Sequence, residues 1–312
     1  MFDSANCTHP PAQAASDAGV AGAGVLLSFI VTAGIALVLS AWIIFSELLR
    51  STEAKIARKL LLSFSDQQII TGIGLQSVGL AKMETMIPYH FFLIWMLSSI
   101  STATHSAALL ALFHDFKRDW VLRWLREFLM FVNLALSCVS GVFVLKDITA
   151  QIFPTLPIAC VWQESTKQER SSGDMTASLA GTIAVIVGQV LVYTMAIWYL
   201  HSRSQRWLQI TRALSFVVLM AIGIGATVRI ITLSQAFGKP SVALADNGEK
   251  DWSFGQLLGL LLLLLPLMSA VEIYRGEMKV PSPLPDDKTP LILGSDHPFD
   301  PNPFWGGLSR EK

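Results

Sequence analysis

Charge is scarce in this sequence. Only 15% of its 312 residues are charged, whereas soluble domains carry about 25%. Lys and Arg together number 23, as do Asp and Glu, and no basic run forms a patch, which argues against a nucleic-acid partner. The three cysteines are too few for a disulfide scaffold or for a zinc site of the CxxC type. These shortages argue against an ordinary soluble domain.

Several catalytic motifs are also missing. The chain has no HExxH zinc motif and no GxSxG nucleophile elbow. It has no aspartate-rich DDxxD cluster, which argues against magnesium-dependent ionisation of a diphosphate. The last apolar run contains no lysine, so a retinal Schiff base is excluded. We therefore expect neither a metal nor a cofactor.

Long apolar runs are what the chain has in abundance. Hydrophobic residues make up 52% of it, and runs near 20 residues recur, as is typical of membrane-spanning helices. The loops after the first, third and fifth runs are short and basic, and the positive-inside rule puts such loops in the cytoplasm. The sequence thus predicts an all-α, multi-pass membrane protein of seven transmembrane helices, with its N-terminus outside and its C-terminus cytoplasmic. We expect spans at about residues 21–45, 61–81, 86–113, 127–145, 177–200, 213–237 and 253–274.

This topology divides the chain into three parts. We expect residues 1–20 to be a disordered extracytoplasmic lead, residues 21–274 to form the transmembrane domain, and the Pro-rich residues 275–312 to be a disordered cytoplasmic tail. Asn6 begins a glycosylation sequon that falls outside. Cys7 and Cys160 fall on the same side and could pair there in an oxidising compartment.

The most unusual stretch is SDQQ at residues 65–68, which opens the second run. A carboxylate and amides are costly in hydrocarbon, so the bundle must supply partners or water, and this makes them candidates for a functional site. A second interpretation is local. Ser65 as N-cap and Gln68 three residues later form a capping box, with Asp66 favourably placed for the helix dipole. The two interpretations are compatible, because a capped helix start can also line a site.

Depth in the membrane decides which polar groups can meet. The third run carries His90 and His105, and fifteen residues of helix separate them by about 22 Å. Because the second and third runs are antiparallel, His105 falls at the level of Asp66. The sequence therefore predicts two polar layers, and either one could be the site. The inner layer contains Asp66, Gln67 and His105, and the outer layer contains Gln76, Glu84, Tyr89, His90 and Arg229.

Structural roles compete with functional ones in both layers. His105 follows Ser101 and Thr102 on the same run, and such small polar groups commonly join membrane helices. Arg229 can extend to a lipid phosphate or pair with Glu84.

Two motifs support a resemblance. They are SDQQIITGI at residues 65–73 and, in the third run, Tyr89-His90, Trp95, Ser98-Ser99, Thr102 and His105. The chain resembles a group of filamentous-fungal seven-span membrane proteins that share an SDQQ-type second helix and this third-helix pattern. In size and helical character it is also similar to membrane-bound terpene cyclases of meroterpenoid pathways, of the ascochlorin and ascofuranone type.

The resemblance to the cyclases implies a reaction and a set of residues. The reaction is acid-initiated cyclisation of a prenyl chain, by opening an epoxide or protonating an alkene, in an apolar pocket with aromatic rings to stabilise cations. The substrate would be an isoprenoid, and the protein would lie in an endomembrane such as the endoplasmic reticulum. The catalytic candidates are Asp66, Glu84, His90 and His105, and the substrate-binding candidates are Gln67, Gln68, Gln76, Tyr89, Trp95 and Arg229.

A receptor is the alternative from another class. Seven spans, an outer N-terminus, a candidate Cys7–Cys160 link and short basic inner loops all fit a ligand sensor in the plasma membrane. The chain lacks the DRY and NPxxY motifs of one large receptor class. A transporter ranks third, because the sequence shows neither inverted repeats nor paired broken helices.

Overall fold

Most of the described residues are helical. The computed structural model describes residues 5–48, 55–118, 120–163, 172–201 and 206–275. The all-α prediction is confirmed for them, since they contain helices and no strand, and β pairing is limited to isolated bridges such as the one between Ala14 and Leu244. A 3-10 helix spans Ile158–Trp162. The α-helices are α1 (Ala18–Ala21), α2 (Ala23–Leu48), α3 (Lys55–Ala81), α4 (Pro88–Ala111), α5 (Phe113–Arg118), α6 (Trp120–Ala150), α7 (Ser172–His201), α8 (Arg206–Leu233), α9 (Phe254–Leu261) and α10 (Leu264–Tyr274).

Helix α4 is the axis of the bundle. It packs against α2, α3, α6, α7 and α8, and all of its residues except Phe92 are buried. It starts with Pro88 at a position where the missing N–H costs nothing. Its second half is rich in Ser, Thr and Ala, and such small residues let five neighbouring helices approach closely. The polar third run is therefore the centre of the fold.

Five helices of the described chain are long and apolar enough to cross a membrane: α2, α4, α6, α7 and α8. In the most apolar 18-residue stretches of α7 and α8, only 22% and 28% of the residues are buried. Most of their side chains therefore face outward, as expected of helices in contact with lipid. The protein is thus an integral, multi-pass membrane protein. The prediction of seven spans includes two more segments than these five. Helix α3 is too polar to be identified as a span by its hydropathy, and α9 and α10 have only 8 and 11 residues.

The break between α9 and α10 has a local cause. Pro266 lacks an N–H and its ring clashes with the carbonyl four residues earlier, at Leu262. The helix is interrupted at residues 262–263, which is the kink expected of this proline.

Two predictions need correction. The capping box is wrong, because α3 begins at Lys55 and Ser65 lies in its interior; residues 55–64 contain no helix breaker, so the helix extends through them. The disordered lead is wrong for residues 5–20. A disulfide joins Cys7 to Cys160, Asp17 caps α1, and Ala14 pairs with the segment 243–245. Residues 1–4 and the predicted tail from 276 onward lie outside the described residues.

The two ends of the bundle differ in chemistry, and we call them the disulfide end and the ion-pair end. The disulfide end carries Cys7–Cys160, the turn after α3 and the segment 234–253. The ion-pair end carries Glu47, which binds Arg58 at 3.1 Å and Arg212 at 2.7 Å.

Candidate functional site

A buried hydrogen-bonded carboxylate marks the disulfide end. Glu249 is 0% exposed, although it follows a turn in a polar loop. Its Oε1 lies 2.7 Å from His90 Nε2, and its Oε2 accepts a hydrogen bond from the Tyr89 hydroxyl at 2.8 Å. The Tyr89 oxygen in turn accepts from the backbone N–H of Gln235 at 2.8 Å, and the backbone carbonyl of Glu249 accepts from Ala23 at the start of α2. The carboxylate itself is thus held by two adjacent side chains of α4, and Gln235 and Ala23 join the same network through the Tyr89 oxygen and the Glu249 backbone.

This arrangement has the composition of a proton relay. Burying a carboxylate is costly unless it is hydrogen-bonded, and here both oxygens have partners. The carboxylate orients the imidazole through Nε2, so any exchange of a proton with a bound molecule has to use Nδ1 of His90.

A cavity of about 280 Å³ adjoins His90. Its walls come from the N-terminal segment, the turn after α3, the start of α4 and the loop after α6. Lys82 and Asp17 line it and form an ion pair at 3.1 Å. Thr155 also lines it and is 6% exposed, and its hydroxyl has no hydrogen-bond partner within the described part of the chain. The remaining lining residues are Pro11, Gln13, Ala14, Ala15, Ser16, Thr85, Met86 and Ile87.

The N-terminal segment forms one wall of this cavity because it is attached at three points. These are the disulfide at Cys7, the backbone pairing of Ala14 and the ion pair of Asp17. The side chain of Asn6 is exposed, with its Oδ1 accepting from Thr8. The sequon is therefore accessible at the same end.

A second polar network lies inside the bundle. Asn133 of α6 accepts at Oδ1 from Gln76 Nε2 at 2.8 Å and donates through Nδ2 to Thr102 at 3.1 Å. Gln68 Nε2 donates to the Phe29 carbonyl of α2 at 3.2 Å. The glutamines of the second run thus join helices, and the network contains no charged group.

Asp66 lies at the ion-pair end. Its Oδ1 and Oδ2 accept from Arg126 Nε and NH2, each at 2.9 Å. The guanidinium also lies over the Phe116 ring, 5.6 Å from its centroid. Both oxygens of the Asp66 carboxylate therefore have Arg126 as their partner.

The structure does not bring the four catalytic candidates together. His90 lies at the cavity, whereas Asp66 and the fully buried His105 lie at a common level farther toward the ion-pair end. Glu84 is half-buried in the turn after α3, where it does not line the cavity. Of the other binding candidates, Trp95 is 1% exposed beside Phe92, the Arg229 side chain is exposed on α8, and Gln67 is half-buried on α3.

Sequence reasoning missed Glu249, Thr155 and Asn133 as site residues. Glu249 is 159 residues from His90 and directly follows Asp-Asn-Gly. The composition of that segment indicates only an exposed turn. Asn133 offered a signal, since a carboxamide in an apolar run needs a partner.

Compared with known proteins, the chain matches no family model, no curated protein and no solved structure. Its class, an all-helical multi-pass membrane protein with a polar site at the disulfide end, therefore rests on its own geometry. Among the described residues, no group of three or more His, Cys, Asp or Glu side chains could hold a metal.

Proposed function

We propose that the protein crosses the membrane seven times, with α3 as one span and α9 and α10 together as another. The two ends of α3 support this. Arg58 binds Glu47 at the ion-pair end, whereas Lys82, which follows α3, binds Asp17 at the disulfide end. Helix α3 therefore covers the same length of the bundle as its apolar neighbours. The polar Gln68 and Gln76 of α3 are buried and bonded to other helices, so they do not contact lipid.

The disulfide end is the extracytoplasmic side in this proposal. Disulfides persist in oxidising compartments, and the basic loops belong in the cytoplasm. A sequon engineered into the tail after residue 275 should stay unmodified, and its glycosylation would overturn this orientation.

We propose that the protein binds a small polar molecule in the cavity at the disulfide end and acts as a receptor or sensor. The observation that carries this proposal is the cavity itself, which combines a charged pair with His90 held by the buried Glu249. At about 280 Å³ the cavity lies at the small end of ligand pockets, and its ion pair and hydroxyl groups suit a small hydrogen-bonding ligand better than a long prenyl chain. A cavity on the extracytoplasmic side would be reached without crossing the bilayer.

Ligand-induced stabilisation tests this. A molecule that binds only the folded state at 100 times its dissociation constant adds about 2.7 kcal/mol. The melting temperature of the purified protein should rise in the presence of some members of a panel of amino acids, small carboxylic acids and sugars. Lys82→Ala should weaken that response, because Lys82 lines the cavity, whereas Lys250→Ala, on the same end but outside the cavity, should not. Equal responses from both variants would refute the cavity as the site.

A terpene cyclase is the second candidate, and the relay of Tyr89, Glu249 and His90 favours it. Because Asp66 is paired with Arg126, the acid in this candidate mechanism is His90, which Glu249 orients through a hydrogen bond. The imidazolium gives its proton to the epoxide oxygen, the C–O bond breaks, and the alkene electrons form the new C–C bond. The final cation returns a proton to the imidazole, so the reaction is an isomerisation that needs no co-reactant.

Metabolite profiles separate the two candidates. A cyclase requires that deletion of the gene and His90→Gln both remove a cyclic terpenoid and accumulate its linear precursor. A sensor predicts no accumulation of such a precursor in either strain.

A further inference from the structure

The seam between α3 and α4 contains a second, unassigned polar site. A side chain on Gly72 would meet Ser101 Oγ at 2.6 Å, and one on Gly79 would meet Ile94 at 2.7 Å. The Ser101 hydroxyl donates to the carbonyl of Gln68 at 2.7 Å. These contacts fix the register of the two antiparallel helices. His105, one turn beyond Ser101, therefore lies level with the turn Ser65–Gln68.

Polar atoms at this level lack partners among the described residues. Both ring nitrogens of His105, the Ser65 hydroxyl and Gln68 Oε1 are buried without a hydrogen bond, and so is the hydroxyl of Ser106. His105 and Ser65 are each 0% exposed and Gln68 is 2% exposed. The Ser101 carbonyl, one turn earlier in α4, interacts with the imidazole, but it can serve only one ring nitrogen, so at least one nitrogen of His105 has no partner among the described residues. Buried polar groups are rarely left unpaired, so a group of them at one level indicates a bound partner.

The layer next to it is different. Asn133, Gln76 and Thr102 bond directly to one another across α3, α4 and α6. Most polar groups of that layer are therefore paired by hydrogen bonds within the protein. In the layer of His105, the buried donors and acceptors do not reach each other.

The chemistry of the group limits the partner. A neutral imidazole offers one donor and one acceptor, the serines offer both, and the amide oxygen only accepts. A partner must therefore donate and accept, and it must be small, because helices α3 and α4 are in close contact. Water meets both conditions and typically makes two to four such bonds in a buried site.

We propose that the α3–α4 seam holds bound water at the level of His105, where it bridges the imidazole to Ser65 and Gln68. This site is independent of the proposed ligand at the disulfide end.

The sign of a stability change tests the proposal. If the site is dry, His105→Leu removes unpaired groups and should raise the melting temperature. If water is bound, the same change removes one partner of that water and should lower it by several degrees. His105→Gln keeps hydrogen-bonding capacity and should recover part of the loss. Thr104→Val is the matched control, because Thr104 is equally buried but bonds only to Ile100 in its own helix.

A spectroscopic measurement covers the case in which the leucine variant does not fold. With ¹⁵N-histidine in the otherwise native protein, the ring N–H of His105, assigned by its loss in His105→Gln, should show a cross-peak to water. A higher melting temperature for His105→Leu, or a ring N–H without contact to water, would overturn the proposal.

Discussion

At the disulfide end one carboxylate, Glu249, is 0% exposed and has partners at both oxygens. At the ion-pair end the carboxylates of Glu47 and Asp66 are 24% and 38% exposed, and their partners are arginines. A buried carboxylate depends on every hydrogen bond it makes, because removing one partner leaves an uncompensated polar group. A half-exposed ion pair exchanges its partner for water at little cost. The same chemical group should therefore have different energetic weight at the two ends.

The largest expected effect is at Glu249. Glu249→Ala should cost about 3–5 kcal/mol of stability, since it leaves Tyr89 and His90 buried without their shared acceptor. Glu249→Gln keeps the shape and should cost less, about 1.5–3 kcal/mol. Denaturant or thermal unfolding in detergent measures both. Asp251→Asn serves as the control, because Asp251 is an exposed acid two residues away. If Asp251→Asn cost as much stability as Glu249→Gln, burial would not explain the energetic difference between the carboxylates.

The ion-pair end should respond more weakly. Asp66→Asn should cost about 1 kcal/mol or less, because Arg126 can turn to water. The difference between the wild type and Asp66→Asn should shrink in 1 M salt, where the screening length is about 3 Å. The cost of Glu249→Gln should not change with salt, since that carboxylate is sealed from solvent. A large, salt-independent cost at Asp66 would show that its ion pair is effectively buried.

These two ends also show how far the sequence could be read. The all-α class, the apolar segments and the polar character of α4 follow from local patterns of residues along the sequence. The level of His105 relative to Asp66 followed from counting residues on antiparallel helices. The partners Glu249 and Arg126 did not follow, because they are 159 and 60 residues away from His90 and Asp66. Nothing in a turn such as Asp-Asn-Gly-Glu indicates that its last residue is buried.

The same limit explains the error at Ser65. The SDQQ stretch satisfies the local rules of a helix start, but those rules apply only where a helix has to begin. The preceding residues 55–64 already favour helix, so Ser65 lies inside α3 with its hydroxyl buried. Local capping signals are therefore ambiguous in a long helix, and a polar residue in such a place should be examined for a tertiary role.

The smallest expected effect concerns a third acid, Asp246, which is exposed on the same loop as Glu249. Hydrogen bonds from Ser16 and from the backbone N–H of Gly248 lower the pKa of Asp246 below its usual value. A lowered pKa stabilises the fold above the usual aspartate range, near pH 4, and this contribution is lost as the pH falls through the folded value. The difference in melting temperature between the wild type and Asp246→Asn should therefore be small at pH 6 and should vanish once the pH is below the folded pKa of Asp246. Because Ser16 belongs to the N-terminal segment, Ser16→Ala should remove part of the same difference, whereas a difference that persists in full at low pH would assign it to something other than the charge of Asp246.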